Sequence, residues 1–198
     1  SLSSDGSVVA IGATGNDGNG GRSGHVRIYK NVNNTWTQIG SDIDGEAAGD
    51  NSGGSVSLSA DGSVVAIGAA TNAGSGYRNG HVRIYQNVNN TWTQVGSDID
   101  GEAAGDRSGE VNLSADGSIV AIGAYENDGN GEDSGHVRIF RNVNENWKQI
   151  GYDIDGELAG DYSGEAISLS ADGSVVAIGA IYNAGNGENS GHVRIFRN

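Results

Sequence analysis

Alternating carboxylates recur three times along this chain. Asp42, Asp44 and Glu46, with Asp50 closing the loop, return as Asp98, Asp100, Glu102 and Asp106 and again as Asp153, Asp155, Glu157 and Asp161. Oxygen donors spaced around a glycine turn suit Ca²⁺, a hard cation that collects about six to eight oxygen ligands. The spacing is not that of an EF-hand loop, which ends on a bidentate Glu. A rival reading needs no ion. The first Asp ends a strand, and the others cap turns by accepting backbone amides. No cofactor is therefore required, and Ca²⁺ is a possible one.

The other chemistry-bearing residues also come one per repeat. His25, His81, His136 and His192 share a single position, whereas a catalytic histidine is normally unique; packing or a bond to a neighbouring unit is expected. Arg27, Arg83, Arg138 and Arg194 follow two residues later on the same strand face and are natural partners for the acidic-loop carboxylates. Tyr29 and Tyr85 become Phe140 and Phe196, so the hydroxyl is dispensable and the position reads as core. Trp36, Trp92 and Trp147 could stack on sugars, but their fixed place favours filling a gap between units. The loops at Asn16-Asp17-Gly18 and Asn127-Asp128-Gly129 carry Ala73 and Ala184 at the equivalent places in the other two units, which removes the charge a cation would need. Serines abound, yet none has a unique base and an oxyanion hole, and Gly18 to Gly21 lack the Lys of a phosphate loop. The expectation is a chain that is not an enzyme.

Composition narrows the partners. The net charge is −14 and the only lysines are Lys30 and Lys148. Nucleic acid is excluded as a partner, because it is held by cationic contacts to phosphate. No apolar run approaches the ~20 residues that span a bilayer, so no membrane insertion is expected. There is no Cys, hence no disulfide or thiolate site, and 35 glycines without a triplet period suit a chain made of turns. No initiator Met and no signal peptide are visible, and the first residues fall inside a repeat. A fragment, or a processed or engineered chain, is expected.

These residues must be positioned by a repeat. Leu58 opens Leu-Ser-Ala-Asp-Gly-Ser-Val-Val-Ala-Ile-Gly-Ala, with close copies at Leu2, Leu113 and Leu169, spacings of 56, 55 and 56. In the second unit, strand A is read over 55–59 and strand B over 64–69. Strand C is read over 81–85 and strand D over 91–95. Asp61-Gly62 makes a tight hairpin and Asn87 to Asn90 the next turn. Strand B is apolar throughout and so covered on both faces. Four strands in 56 residues is the size of a β-propeller blade, while a β-solenoid rung needs only ~20. The fold class is all-β: about 3.5–4 four-stranded antiparallel blades in one repeat domain over 1–198. The approximate blades are 1–50 with a truncated strand A, 51–106, 107–161, and 162–198 without strand D.

At Gly53 to Gly62, Val64 to Ala69 and Gly80 to Tyr85 the chain resembles the FG-GAP-type repeats of integrin-like propellers, in particular a Trp-containing variant of microbial surface and secreted proteins. The resemblance covers the whole chain. It implies an extracellular or cell-surface location, a role in binding or adhesion, and a ring of about seven or eight blades. Two departures matter. The family's Phe-Gly pair is Ser52-Gly53, Ser108-Gly109 and Ser163-Gly164, and its calcium loop between strands A and B is only Ala60 to Ser63. The leading expectation is a non-enzymatic binding or adhesion module for a glycan or protein ligand. The alternative is a self-assembling scaffold. In that case the chain is its own partner, as a homodimer closing a ring or as a filament.

Overall fold

The computed structural model describes residues 1–197, and among them every regular element is a strand. The first sheet holds β1 (Val8–Ala13), β2 (His25–Val32), β3 (Thr35–Gln38) and β4 (Ile43–Asp44). The second holds β5 (Ser55–Leu58), β6 (Val64–Ala69), β7 (His81–Val88), β8 (Thr91–Gln94) and β9 (Ile99–Asp100). The third repeats this as β10 (Ser108–Leu113), β11 (Ile119–Ala124), β12 (His136–Val143), β13 (Asn146–Gln149) and β14 (Ile154–Asp155). The fourth comprises β15 (Ser163–Leu169), β16 (Val175–Ala180) and β17 (His192–Arg197). All pairings within the sheets are antiparallel meanders, as in β5-β6-β7-β8.

Two features of the expected blade are corrected. Strand D is broken: β8 pairs with the far half of β7 and β9 with its near half. Gln94 reaches forward to Asp98 at 2.6 Å and closes the short excursion between them. Strand C is also longer than expected. It runs to Val88, leaving a two-residue turn at Asn89 and Asn90 with φ of 53° and 62°. Asn tolerates this left-handed pair, which matches the strand twist.

The sheets stack on one another through apolar faces. Strand alternation sends Val65, Ile67 and Tyr85 of the second sheet back against Val8, Val26 and Ile28 of the first. It sends Ala66, Val82 and Ile84 forward against Val111, Val120 and Ile122 of the third. Strand A is innermost. Successive A strands touch through polar side chains: the Val111 and Leu113 amides donate to Ser55 and Ser57 at 3.1 and 3.0 Å. Below them the A–B turns are joined blade to blade, Ala60 N–H to Ala115 O and Ala115 N–H to Ala171 O.

Each A–B turn is closed by an aspartate. Asp172 accepts from the Ser170 hydroxyl and from the amide and hydroxyl of Ser174. These bonds, with Ser170 first, hold its carboxyl down to about 2. A folded pKa below the unfolded one adds stability that is complete above pH ~4 and is lost as pH falls toward 2. Melts between those limits are expected to show the wild-type melting temperature falling faster than that of Asp172→Asn. Parallel pH slopes would contradict it.

Candidate functional site

The blades have unlike ends. One end carries only the short A–B and C–D turns. The other gathers the long B–C loops, such as 70–80, and the loops that carry the chain from β9 or β14 into the next strand A. All the carboxylates singled out in the sequence lie at or beside this second end, but the four of one loop do not converge on a single point; in the first loop only Asp42 and Asp44 meet, around His25.

Asp50 turns back into its own loop and accepts the amides of Glu46 and Ala47 at 3.0 and 2.8 Å; Asp106 does the same for Glu102 and Ala103. Asp161 accepts from Leu158 N–H and from the Asn183 side chain of the next blade. Asp42 is held by Arg27, through Nε and Nη2 at 3.0 and 2.9 Å, and by Gln38. Arg27 and the Gln38 amide depress its pKa. Gln94 and Gln149 hold Asp98 and Asp153 in the same way. Asp44, Asp100 and Asp155 lie in the short strands β4, β9 and β14, where backbone pairing with the preceding histidine strand of the same blade fixes them. Glu46, Glu102 and Glu157 leave their own blade. They reach the His81, His136 and His192 side chains of the next one at 3.7, 3.9 and 3.6 Å.

The histidine row is thus an inter-blade feature. The His81 side chain is only 2% exposed, and its Nδ1 faces Glu46 of the first blade and Asp98 of its own at 3.7 and 3.6 Å. Burial first, and then Arg83, push the His81 and His136 pKa values down, the latter through Arg138. Arg83 and Arg138 also cross the junction, donating to the carbonyls of Asp44 and Asp100 at 2.7 and 2.6 Å. Trp92 and Trp147 do likewise, each indole N–H reaching a carbonyl of the preceding blade, Ile39 and Val95, at 2.9 Å. Two indoles are therefore occupied as wedges.

Residues that the repeat pattern did not single out also meet at the long-loop end. Tyr125, Tyr162 and Tyr182 cluster where the third and fourth blades meet. Their ring centroids are 6.4 Å apart, stacked, for the first pair and 5.2 Å, edge-on, for the second. Tyr162 donates its hydroxyl to Asp133 at 3.0 Å, and Arg107 sits against Glu126 at 2.8 Å. Beneath Tyr125 lies a cavity of about 300 Å³ lined by Ser55, Glu110 and Glu165. Burial raises the Glu110 pKa, a Ser55 hydrogen bond opposes the shift, and Glu165 adds to it. The sequence signal was departure from the repeat: Glu110 stands where the second unit has Ser55, and Tyr162 where earlier units have Asn51 and Arg107.

No protein-family model matches the chain, and no curated protein sequence does either. Solved structures do. These blades have the β-propeller fold. A periplasmic gluconolactonase of Pseudomonas aeruginosa aligns at TM-score 0.61 and 16% identity over 99% of this chain and 48% of its own. A Bacteroides uniformis protein provisionally named a 6-phosphogluconolactonase aligns at 0.65 and 12%, over 100% and 49%. The propeller domain of the Trilobed protease of Pyrococcus furiosus, described as having an open velcro topology, aligns at 0.57 and 12%, over 98% and 52%. The chain spans about half the length of these structures.

These neighbours correct the expectation that the chain is not an enzyme. Proteins named as gluconolactonases share its propeller fold, so a missing catalytic motif no longer excludes an activity. The physical reason is that a propeller site is assembled from loops of several blades. Its residues need not form any contiguous pattern.

Proposed function

We propose that this propeller is a ligand-binding or adhesion module of FG-GAP type in an extracellular or cell-surface protein, and that it takes a carbohydrate at the long-loop end of the third and fourth blades. The observation that carries the reading is the tyrosine cluster. Tyr182 is 47% exposed and stands edge-on to Tyr162, which presents aromatic surface beside hydroxyl and carboxylate groups. Aromatic faces bury the apolar faces of a sugar ring, while Glu110, Glu165 and Arg107 can bond its hydroxyls. The strongly acidic composition and the periplasmic origin of one structural neighbour support the location.

A glycan array probed with the full chain tests it. A binding sugar class is expected, and Tyr182→Ala should weaken it by roughly tenfold, the worth of one aromatic contact. Product analysis of the same mixtures reads any turnover. An array without hits, or a Tyr182→Ala protein that binds equally well, ends the reading.

A second reading has its own observation. The two outer faces of the blade stack match the faces that are buried between blades, and we propose that a second copy of this chain covers them. The measurement that decides it is given in the Discussion.

A further inference from the structure

We infer that the first two of the three blade junctions each hold a divalent transition-metal ion, of which Zn²⁺ is the type, between a histidine of one blade and a glutamate of the blade before it. The better-formed site consists of His81 Nδ1, Asp98 and Glu46. Its twin consists of His136, Asp153 and Glu102. In each set one ligand atom per residue lies within 4.8 Å of the other two.

The geometry suits an N/O-liganded tetrahedral ion. Donors about 2.0–2.1 Å from zinc lie roughly 3.3 Å from one another. His81 Nδ1 is 3.6 Å from Asp98 Oδ2 and 3.7 Å from Glu46 Oε2. These distances are too long for hydrogen bonds and a few tenths of an ångström wider than a filled site. The imidazole is the independent sign of a ligand. Its side chain is 98% buried, and its Nδ1 is aimed at the two carboxylates yet lies beyond hydrogen-bond distance of both. A buried polar ring left in that state is costly unless something meets it.

The carboxylates are held for the purpose. Gln94 takes Asp98 Oδ1 at 2.6 Å and leaves Oδ2 toward the histidine. Arg83 lies 3.8 Å from Glu46 Oε1 and leaves Oε2 toward the same nitrogen. Such outer partners orient metal ligands. The nitrogen donor and the three-ligand count favour Zn²⁺ over Ca²⁺, which wants more oxygens. The outer blades fit less well. In the first, His25 meets Asp42 at 3.4 Å and Asp44 at 3.9 Å, both of its own blade, but the Asp42 oxygen that faces it is already bound by Arg27. In the fourth, His192 meets Glu157 alone among the described residues.

The consequence is a pair of clamps between blades one and two and between blades two and three, each added to the apolar contacts and hydrogen bonds that already cross the junction. The test uses the full chain, stripped with chelator and titrated with Zn²⁺ by calorimetry and with Co²⁺ by visible absorption. Two ions per chain and an intense low-symmetry Co²⁺ spectrum are expected, together with a melting temperature that rises with Zn²⁺. The double variant Glu46→Gln, Glu102→Gln alters two half-exposed side chains and so should fold. It should bind Zn²⁺ at least about tenfold more weakly and lose the thermal gain. Asp98→Asn should lose one of the two ions. The inference is overturned if wild type takes up no Zn²⁺ at tens of micromolar, if the double variant gains as much from Zn²⁺ as wild type does, or if Ca²⁺ stabilises the chain more than Zn²⁺.

Discussion

Gly68→Ala is expected to destabilise the chain by about 3 kcal/mol or more, while the same change at Gly179 should cost less than about 1 kcal/mol. Both glycines sit at one position of strand B, and neither has a positive φ. They differ in what stands in front of them. A Cβ on Gly68 would lie 1.8 Å from the carbonyl oxygen of Gly109, and one on Gly123 would lie 2.0 Å from that of Gly164. This is backbone against backbone at a blade junction, so no side chain can swing aside. The clash can be relieved only by opening the junction, which strips Val82, Ile84, Val111 and Ile122 of their packing. Among the described residues a Cβ on Gly179 meets Ala166 of its own blade, at 3.3 Å, and no backbone of another blade lies in front of it. There alanine should be neutral or slightly stabilising, since it lowers the entropy of the unfolded chain. In a protein of this size the first variant should melt roughly 6–12 °C lower. Thermal melts of the two that fall within a degree of each other would mean that close backbone approach does not set the blade spacing.

The same glycines show how far the sequence could be read. Strand B was legible to the residue, because six apolar residues between an Asp-Gly turn and a polar loop leave few alternatives, and four near copies repeat it. The break in strand D was not legible. Ile99 and Asp100 form a two-residue strand whose pairing to His81 and Val82 is decided by β7, far away in the chain. Reading Asp98 to Asp106 as one acidic loop therefore grouped carboxylates that the fold separates. Strand alternation and the short β9 point Asp98 toward its own blade's histidine and send Glu102 to the next. The partnership was available as a rhythm, since Glu46 with His81, Glu102 with His136 and Glu157 with His192 keep step, but rhythm does not reveal which blade a side chain crosses to. The tyrosine cluster was hidden for the opposite reason. Tyr125, Tyr162 and Tyr182 occupy three different repeat positions, so periodicity suppresses them, and only stacking of successive blades brings them together.

Stacking also leaves two faces uncovered, and the expected result is that the chain associates with itself at twice its 20.1 kDa mass. At the first blade Leu2, Ile11 and Trp36 are 60%, 50% and 45% exposed and line an apolar hollow with Val9 and Tyr29. Their counterparts in the second blade, Leu58 and Ile67, are 7% and 1% exposed. At the fourth blade Val193 and Ile195 are 66% and 71% exposed, against 0% and 2% for Val82 and Ile84. One face is the back of a blade and the other a front, so the contact between copies is head to tail, and it repeats what the interior junctions already do. Each large aliphatic side chain covered contributes about 1.5–3 kcal/mol. Two such contacts related by a two-fold axis would close eight sheets into a ring. A rotation that fails to close would grow a filament instead. Each copy carries a charge of −14, so repulsion opposes the contact and salt should strengthen it. Light scattering on a sizing column, at about 50 µM chain and about 150 mM salt, decides between these states. Wild type should run as a dimer or larger, and Ile195→Asp, which places a further charge in the middle of the front face without touching an interior junction, should run as a monomer. A wild-type chain that stays at 20.1 kDa under those conditions overturns the pairing of its outer faces.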